Sequence, residues 1–484
     1  MTPDALRARG ERFHEELGRE GYLTGAGLAA EAHFEEIFER HADLAGEEAF
    51  EAARPDPLLF AWVVDNRVGR AVAALEDRLH AWEAGATVAL QDGTVMPYQR
   101  TAVAIANEAE RPRRLMLDRA RRAVLAEPTA LRAERLGRER DLIEGLGLGD
   151  FVSARAALAG IDLDALGDAC GSFLTRTSDL YRDALAERLR AQLHLRPGEA
   201  DRADAAYLFR GVAFDDAFPA ADLVPTACRQ VGEMGLDAES GGRIRYDTEE
   251  RERKRPRAFC APVRVPDEVY LVIRPFGGAS DYRAFWHELG HALHFSHASA
   301  TLPFEHRWLG DNSVTESFAT LFEHQLLAPA WLGRFSPLRG DRLRAFVRDQ
   351  AFARLAVVRR YAAKLRYELA LFRAPRLADG ADRYVATLTE ATLFRYAPED
   401  YLLDLDEGFY AARYLRAWQL EAGLSALLTE RFDEDWFRNP RCGPFVAGLM
   451  ARGQRDDAAA LSAEVLGRPL DFSALAATCE RALA

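Results

Sequence analysis

Hydrophobic residues recur at three- and four-residue intervals through most of the first 210 positions, which predicts a series of amphipathic helices. The pattern is clearest in segments 5–23, 60–84 and 176–193. Proline and glycine fall mostly between such segments, as at Pro197–Gly198. This half of the chain is therefore predicted to be a helical scaffold without chemistry of its own.

The pattern changes after about residue 215. Val269, Leu271 and Ile273 alternate with their neighbours and are bounded by Pro266 and by segment 275–278, which predicts a strand of about six residues at 268–273. Helical spacing then continues to the C-terminus. One long helix is expected from Arg342 to Phe372, because Pro375 prevents its continuation.

Composition excludes several classes of function. The formal net charge is −13, and an acidic surface repels phosphate backbones, so no nucleic-acid partner is expected. No apolar run reaches the ~18 residues that cross a bilayer, and the N-terminus lacks an apolar targeting segment. Five scattered cysteines without a CxxC pair fit a reducing compartment. These features predict a cytoplasmic protein with no membrane partner.

Residues 287–291 form a His-Glu-Leu-Gly-His segment, an HExxH motif. His287 and His291 are one helical turn apart, so both imidazoles can bind one Zn²⁺ ion. Glu288 is rotated by about 100° from His287 around the helix axis, so it can act on a metal-bound water instead of on the ion. The opposite helix face carries Phe285, Leu289, Ala292, Leu293 and Ser296. A helix packed on a core, with its imidazoles facing a cleft, is predicted.

Two candidates compete for the third metal ligand. His297 would complete the metzincin pattern if the helix broke at His294, where metzincins carry glycine. Glu316, 25 residues after the second histidine, fits the gluzincin pattern instead, although Ser313 to Glu316 also forms a capping-box sequence. Glu316 is the preferred ligand. Glu323, seven residues later on the same helix face, is suited to support a ligand, as is His294.

Segment 254–295 resembles the catalytic segment of the M3 metallopeptidases, the family of thimet oligopeptidase and oligoendopeptidase F. The matching positions are Lys254 to Phe259, the strand at 268–273, the loop with Gly277 and Gly278, HExGHxxH at 287–294, Glu316 and Glu323. Segment 404–418 matches a further family feature, in which tyrosines that follow a glycine face the substrate carbonyl. Tyr410 and Tyr414 hold those positions after Gly408.

The resemblance implies a mainly α, multi-helix fold with two lobes around a deep cleft and one small β-sheet beside the HExxH helix. A helical lobe at 1–215 and a catalytic lobe at 216–484 are expected. The implied activity is zinc-dependent hydrolysis of short peptides, with one Zn²⁺ ion and a peptide as the partner. Tyr270, Gly277 and Gly278 are expected to contact the peptide, and strand 268–273 to bind it by β-addition.

Two other interpretations stay open. The M32 and M2 groups also place HExxH and a later glutamate on helices, which would make the protein a metallocarboxypeptidase. Alternatively, it is a catalytically impaired peptide-binding descendant, because Ala417 stands where the family has a third tyrosine and Leu405 lies near the position of a family histidine. The sequence does not indicate an oligomeric state.

Overall fold

The computed structural model describes residues 1–483, which form 22 α-helices and five β-strands. The first eleven helices are α1 (Pro3–Gly25), α2 (Phe34–Arg40), α3 (Glu47–Ala53), α4 (Pro57–Gly85), α5 (Tyr98–Asn107), α6 (Arg111–Ala123), α7 (Ala126–Glu144), α8 (Phe151–Ala159), α9 (Leu163–Arg176), α10 (Ser178–Leu193) and α11 (Arg202–Leu208). The others are α12 (Leu223–Glu233), α13 (Ala279–His297), α14 (Phe304–Trp308), α15 (Asn312–Glu323), α16 (Pro329–Phe335), α17 (Gly340–Arg373), α18 (Ala381–Thr392), α19 (Tyr410–Phe432), α20 (Cys442–Met450), α21 (Ala458–Leu466) and α22 (Ser473–Leu483). The strands are β1 (Thr87–Ala89), β2 (Val95–Pro97), β3 (Ile244–Asp247), β4 (Phe259–Arg264) and β5 (Glu268–Val272).

The chain forms two compact units, each assembled from separate stretches of sequence. The first unit contains residues 1–64, 212–350 and 413–478. The second contains residues 65–211, 351–412 and, of the described residues, 479–483. The expected boundary near residue 215 lies close to residue 212, where the chain leaves the second unit and enters the first. Residues 1–64, however, belong to the same unit as the HExxH segment. The cleft between two lobes stays a prediction.

The prediction of a mainly α chain is confirmed. Helix α17 runs from Gly340 to Arg373, close to the expected bounds, and it ends two residues before Pro375. Several helices begin at an aspartate whose carboxylate accepts a backbone N–H of the first turn. Asp162 accepts from Ala165 in this way at the start of α9, at 2.9 Å. No helix among residues 1–483 combines the length and the apolar character that a membrane span needs.

The small sheet beside the HExxH helix has the strand order β3-β5-β4. Strand β5 is parallel to β3 and antiparallel to β4, so it is the central strand and its backbone pairs on both sides. The prediction that strand 268–273 binds a peptide by β-addition is therefore wrong, because a central strand has no open row of N–H and C=O groups. Strand β4 is an outer strand, which suits Pro262, a residue without an N–H to donate.

Helix α1 packs on strand β4 within the first unit. A Cβ atom at Gly18 would lie 2.4 Å from the carbonyl oxygen of Pro262, so only glycine allows this approach. Arg19 donates to both carboxylate oxygens of the buried Glu268, at 3.2 and 3.1 Å. The N-terminal helix thereby supports the sheet that lies beside the HExxH helix.

The core of the first unit lies behind α13. The five residues predicted to form the apolar back of this helix are fully buried: Phe285, Leu289, Ala292, Leu293 and Ser296. Gln230 of α12 accepts from the indole N–H groups of Trp286 and Trp331, at 2.7 and 3.1 Å. A single amide oxygen thus satisfies two buried donors, which fixes the back of α13 in the core.

The second unit contains the β1–β2 hairpin and a small core around it. This core consists of Val88, Leu90, Ile105, Leu117 and Ala203. The fully buried Arg114 and Asp204 form an ion pair at 2.7 Å, and Arg111 also donates to Asp204. A buried pair of this kind is satisfied only because several hydrogen bonds replace the lost water.

Candidate metal centre

Helices α13 and α15 make an unusually close approach at Gly290, the glycine of the His-Glu-Leu-Gly-His segment. A Cβ atom at this position would lie 2.5 Å from the carbonyl oxygen of Phe318 and 2.6 Å from the Cα atom of Ala319. Any larger residue would push the helices apart. The glycine therefore lets Glu316 on α15 reach the two histidines on α13.

The side chains of His287, His291 and Glu316 converge on one point. The Oε2 atom of Glu316 lies 3.5 Å from the Nε2 atom of His287 and 3.6 Å from that of His291. Ligand atoms at ~2.0–2.1 Å from a tetrahedral zinc ion are about 3.4 Å apart. The three residues are the one group of possible metal ligands of this kind among the described residues, and their spacing fits zinc.

The other nitrogen of each imidazole is already engaged. His287 donates from Nδ1 to the Oε2 atom of Glu323 at 3.0 Å, and the Nδ1 atom of His291 shares a hydrogen bond of 2.8 Å with the hydroxyl oxygen of Thr315. The Glu323 carboxylate only accepts, so it fixes the proton of His287 on Nδ1, and both bonds turn the Nε2 atoms of the two rings toward the candidate metal position. Glu323 thus occupies the supporting position expected from the sequence. Sequence reasoning missed Thr315, because a threonine beside a ligand carries no distinctive spacing.

The electrostatics of the group match that arrangement. Burial lowers the pKa of His287, but hydrogen bonds with Glu316 and Glu323 outweigh burial and raise this pKa to about 10. Burial acts to raise the pKa of Glu323, yet the hydrogen bond from His287 and the charges of His324 and Arg283 lower it to about 2. The pKa of Glu316 is likewise held well below its ordinary value by the two histidines. The site therefore attracts positive charge, which a divalent cation supplies.

The capping-box alternative for Glu316 is wrong. Helix α15 begins at Asn312, and the residue that caps it is Asp311, whose Oδ1 atom accepts from the Ser313 N–H at 3.0 Å. Glu316 lies in the second turn, buried, with its carboxylate turned to the histidines. An aspartate directly before a helix is a recognisable N-cap signal that could have identified Asp311 in the sequence.

Glu288 is held apart from the three candidate ligands. Its Oε2 atom accepts a hydrogen bond from the backbone N–H of Cys260 on strand β4, at 2.8 Å. Burial raises the pKa of Glu288, against the opposing fields of His291 and His287. A carboxylate with a raised pKa beside a metal site is suited to accept and return a proton near neutral pH. No sequence pattern indicated that Cys260 would orient it.

The metzincin alternative is wrong, because it requires α13 to break at His294. The helix continues without a break to His297, whose Nδ1 atom donates to the Leu293 carbonyl at 2.8 Å. His294 is buried, and its Nε2 atom donates to the Gly453 carbonyl at 3.1 Å. His294 therefore bonds to the loop that follows α20. The sequence had predicted that this histidine would support a metal ligand.

Tyr270 and the two glycines were expected to contact substrate. The ring of Tyr270 stacks on Tyr22 of α1 with centroids 3.7 Å apart, and its hydroxyl donates to Glu268 at 2.9 Å. The Gly277 N–H donates to Asp281 at 2.9 Å, and the Gly278 N–H donates to the Phe218 carbonyl at 2.7 Å. These groups make contacts within the protein. Both glycines also have positive φ, which explains their identity.

The two tyrosines of segment 404–418 lie one turn apart on α19. Tyr410 is its first residue and belongs to the second unit, whereas Tyr414 belongs to the first. The ring of Tyr414 lies against Trp418, with centroids 6.0 Å apart. Ala417 is fully buried, and its carbonyl accepts from the Ser317 hydroxyl of α15 at 3.3 Å. Position 417, where the resemblance predicts a third tyrosine, is therefore buried and in contact with α15.

Lys254, the lysine of the segment that resembles the family pattern, has a structural role. Its buried Nζ atom donates to the carbonyl oxygens of Asp247 and Glu249 and to the Asp247 carboxylate, each at 2.8 Å. The lysine thus ties the loop before β4 to the end of β3.

Comparisons with known proteins identify the fold and not the family. No family model matches the chain, and no curated protein matches its sequence. Among solved structures, the chain is similar to a crystal structure described as a "putative peptidase from Chlamydophila abortus". The TM-score is 0.65 at 12% sequence identity, and the match covers 99% of this chain and 89% of that chain. At this identity the likeness establishes a shared fold over nearly the whole chain.

Proposed function

We propose that this protein is a zinc-dependent peptidase of the M3 type that hydrolyses short peptides. The observation that carries the proposal is the convergence of two imidazole Nε2 atoms on one oxygen of Glu316, with both Nδ1 atoms already engaged. The shared fold with a protein described as a putative peptidase supports it.

His287, His291 and Glu316 would hold the metal ion. Two imidazoles and a carboxylate are the donor set of catalytic zinc sites, which keep a fourth position open. When bound, zinc lowers the pKa of a water molecule and polarises the scissile carbonyl. Glu323 and Thr315 would orient the two rings through their Nδ1 atoms, so that each Nε2 atom faces the metal.

Glu288 would act as the general base. The Cys260 N–H holds one carboxylate oxygen, which leaves the other to take a proton from the attacking water and return it to the leaving amine. Tyr414 or Tyr410 would donate a hydrogen bond to the developing oxyanion. The substrate would be a peptide.

The experiment is a comparison of three proteins with matched metal analysis. Wild type, purified after zinc supplementation, is expected to hold about one zinc per chain and to cleave an internally quenched peptide pool. Glu288→Gln keeps zinc and loses hydrolysis by at least ~10²-fold, the range for a general base. His287→Ala loses both zinc and hydrolysis.

Two results would contradict the proposal. One is equal loss of zinc from Glu288→Gln and Glu316→Gln, since only the second residue is assigned to the metal. The other is a zinc-loaded wild type that cleaves no peptide, which would favour a peptide-binding descendant. Product mapping on peptides blocked at both ends separates internal cleavage from carboxypeptidase action, because a carboxypeptidase needs the free C-terminus.

A further inference from the structure

Asp311 is a buried carboxylate on which three helices converge. Its Oδ1 atom caps α15, the helix of Glu316, by accepting from the Ser313 N–H at 3.0 Å. Its Oδ2 atom accepts from Arg416 of α19 at 3.2 Å and from the Ala458 N–H, the first residue of α21, at 3.1 Å. Arg413 also reaches Oδ1, at 3.4 Å. All of these residues belong to the first unit.

The cap is more than a surface ion pair. Asp311 is only 8% exposed, and the side chain of Arg416 only 11%. Burial acts to raise the pKa of Asp311, but Arg416 and Arg413 hold it below its ordinary value. Breaking such a pair from one side leaves an uncompensated buried charge, so the contact strongly resists displacement.

Helix α15 and α19 meet at two further polar contacts. The Ser317 hydroxyl donates to the Ala417 carbonyl at 3.3 Å, and the Nδ1 atom of His324, just after α15, lies 3.0 Å from Glu421. The contacts follow the same order along both helices. Asp311, Ser317 and His324 thus form a line of contacts with α19, and Asp311 is at its first end.

Helical spacing puts Tyr414 along this contact line. It stands between Arg413 and Arg416 in the sequence and two helical turns before Glu421 on the same face. Displacing α19 at Asp311 would therefore move the tyrosine relative to Glu316, which is rooted in the other helix. The Asp311 carboxylate thus links the position of Tyr414 on α19 to that of Glu316 on α15.

We propose that Asp311 is a positioning residue, which fixes the Tyr414 hydroxyl relative to the metal ligand Glu316 by joining their helices. This inference rests on the proposed function, and it selects Tyr414 from the two tyrosines that the proposed function names as donors to the oxyanion. Asp311 itself touches neither metal nor substrate and acts only through the two helices.

The central test is a double-mutant cycle between Asp311→Asn and Tyr414→Phe. Asparagine is as good an N-cap as aspartate, but its amide cannot accept from Arg416 and Ala458 where Oδ2 does. Asp311→Asn is expected to keep one zinc per chain and KM within twofold, and to lower kcat by about 10²-fold, as a misplacement of ~1 Å does. In the Tyr414→Phe background it should lower kcat no further.

Matched variants keep the test decisive. Asp457→Asn removes the other carboxylate near Arg416, at 3.6 Å, and should leave kcat unchanged. If Asp311→Asn does not fold, Arg416→Gln removes the same contact from the opposite side and should show the same non-additivity. Losses that multiply in the double variant, or an Asp311→Asn kcat equal to wild type, would overturn the inference.

Hydrogen exchange supplies a measurement that does not depend on activity. In Asp311→Asn, backbone amides in 312–317 and 413–421 should exchange faster together, whereas Asp457→Asn should leave 312–317 unchanged. A zinc-loaded but inactive wild type would defeat the proposed function, and with it the role of Asp311 in positioning Tyr414. Unchanged exchange in Asp311→Asn would instead overturn the joining of the helices, whatever the activity.

Discussion

The Nδ1 atom of His287 donates a 3.0 Å hydrogen bond to Glu323, so the carboxylate that orients this imidazole comes from the same helix as the candidate ligand Glu316. Glu316 and Glu323 lie seven residues apart on one face of α15. Helix α15 therefore carries one candidate ligand, Glu316, and, two turns later, the carboxylate that orients a second candidate ligand, His287. The position of α15 alone determines both interactions.

Removing the support should weaken metal binding without removing a ligand. Glu323→Ala is expected to lower zinc affinity by ~10–100-fold, the usual cost of losing a partner of a ligating histidine. Glu323→Gln keeps an acceptor for Nδ1 and should fall between Ala and wild type. Competition with a chelator measures the affinity. The exposed Glu434→Ala serves as the control, and an unchanged affinity in Glu323→Ala would show that His287 orients itself.

Metal removal should destabilise the first unit. A ligand that binds only the folded state stabilises it by RT ln(1 + [L]/Kd), about 2.7 kcal/mol at 100 times Kd. Denaturant unfolding with excess zinc and with a chelator should differ by about this amount in wild type. His291→Ala should unfold alike in both conditions. A zinc effect that survives in His291→Ala would place the metal elsewhere.

The close approach of α13 and α15 predicts a specific effect of adding one methyl group. Gly290→Ala forces a Cβ atom against Phe318 and Ala319, which should cost about 1–3 kcal/mol and weaken zinc binding as Glu316 moves away. Gly448 of α20 has no heavy atom within 4 Å of such a Cβ. Gly448→Ala should therefore stabilise by about 0.5–1 kcal/mol. Equal stability of Gly290→Ala and wild type would contradict the packing.

The buried His294 predicts acid sensitivity. Burial lowers the pKa of His294 to about 4, below the ordinary value near 6.5. Between these pH values the unfolded chain binds a proton that the native protein does not, so the free energy of unfolding falls as pH falls through this window. Above pH 6.5 the group contributes no pH dependence.

The variant His294→Gln tests this contribution. Its amide can still donate to the Gly453 carbonyl but does not titrate, so its free energy of unfolding should fall about 2 kcal/mol less than that of wild type between pH 6.5 and 4.5. Urea unfolding at both pH values measures the difference. His80→Gln, at an exposed histidine, should change this slope little. Parallel pH profiles for His294→Gln and wild type would contradict the assignment.

Helical spacing in the sequence was sufficient for the parts of the site that lie on one element. His287, His291 and the buried back of α13 follow from periodicity alone, because a helix fixes the relative direction of every side chain it carries. Long helices such as α17 were predictable for the same reason, with proline marking the end. The choice of Glu316 needed more than spacing, since a cap and a ligand have the same local pattern.

Contacts across elements were not predictable in this way. Strand β5 has the alternation of a half-buried strand, yet the fold makes it central and leaves no room for a peptide strand beside it. Tyr270 is a residue type that often contacts substrate, but its ring stacks on that of Tyr22, which lies on α1 and 248 positions earlier in the chain. Local sequence carries no information about such neighbours.

The sequence by itself determined the mainly α class, the HExxH helix and the common face of its two histidines, because each depends on the geometry of a single helix. Only the tertiary structure decided how those groups work together: Gly290 admits α15, Thr315 and Glu323 orient the imidazoles, Cys260 holds Glu288, and Asp311 joins α15 to α19. These partners are distant in the chain or carry no periodic signal. Close packing, not sequence spacing, brings them within hydrogen-bonding distance.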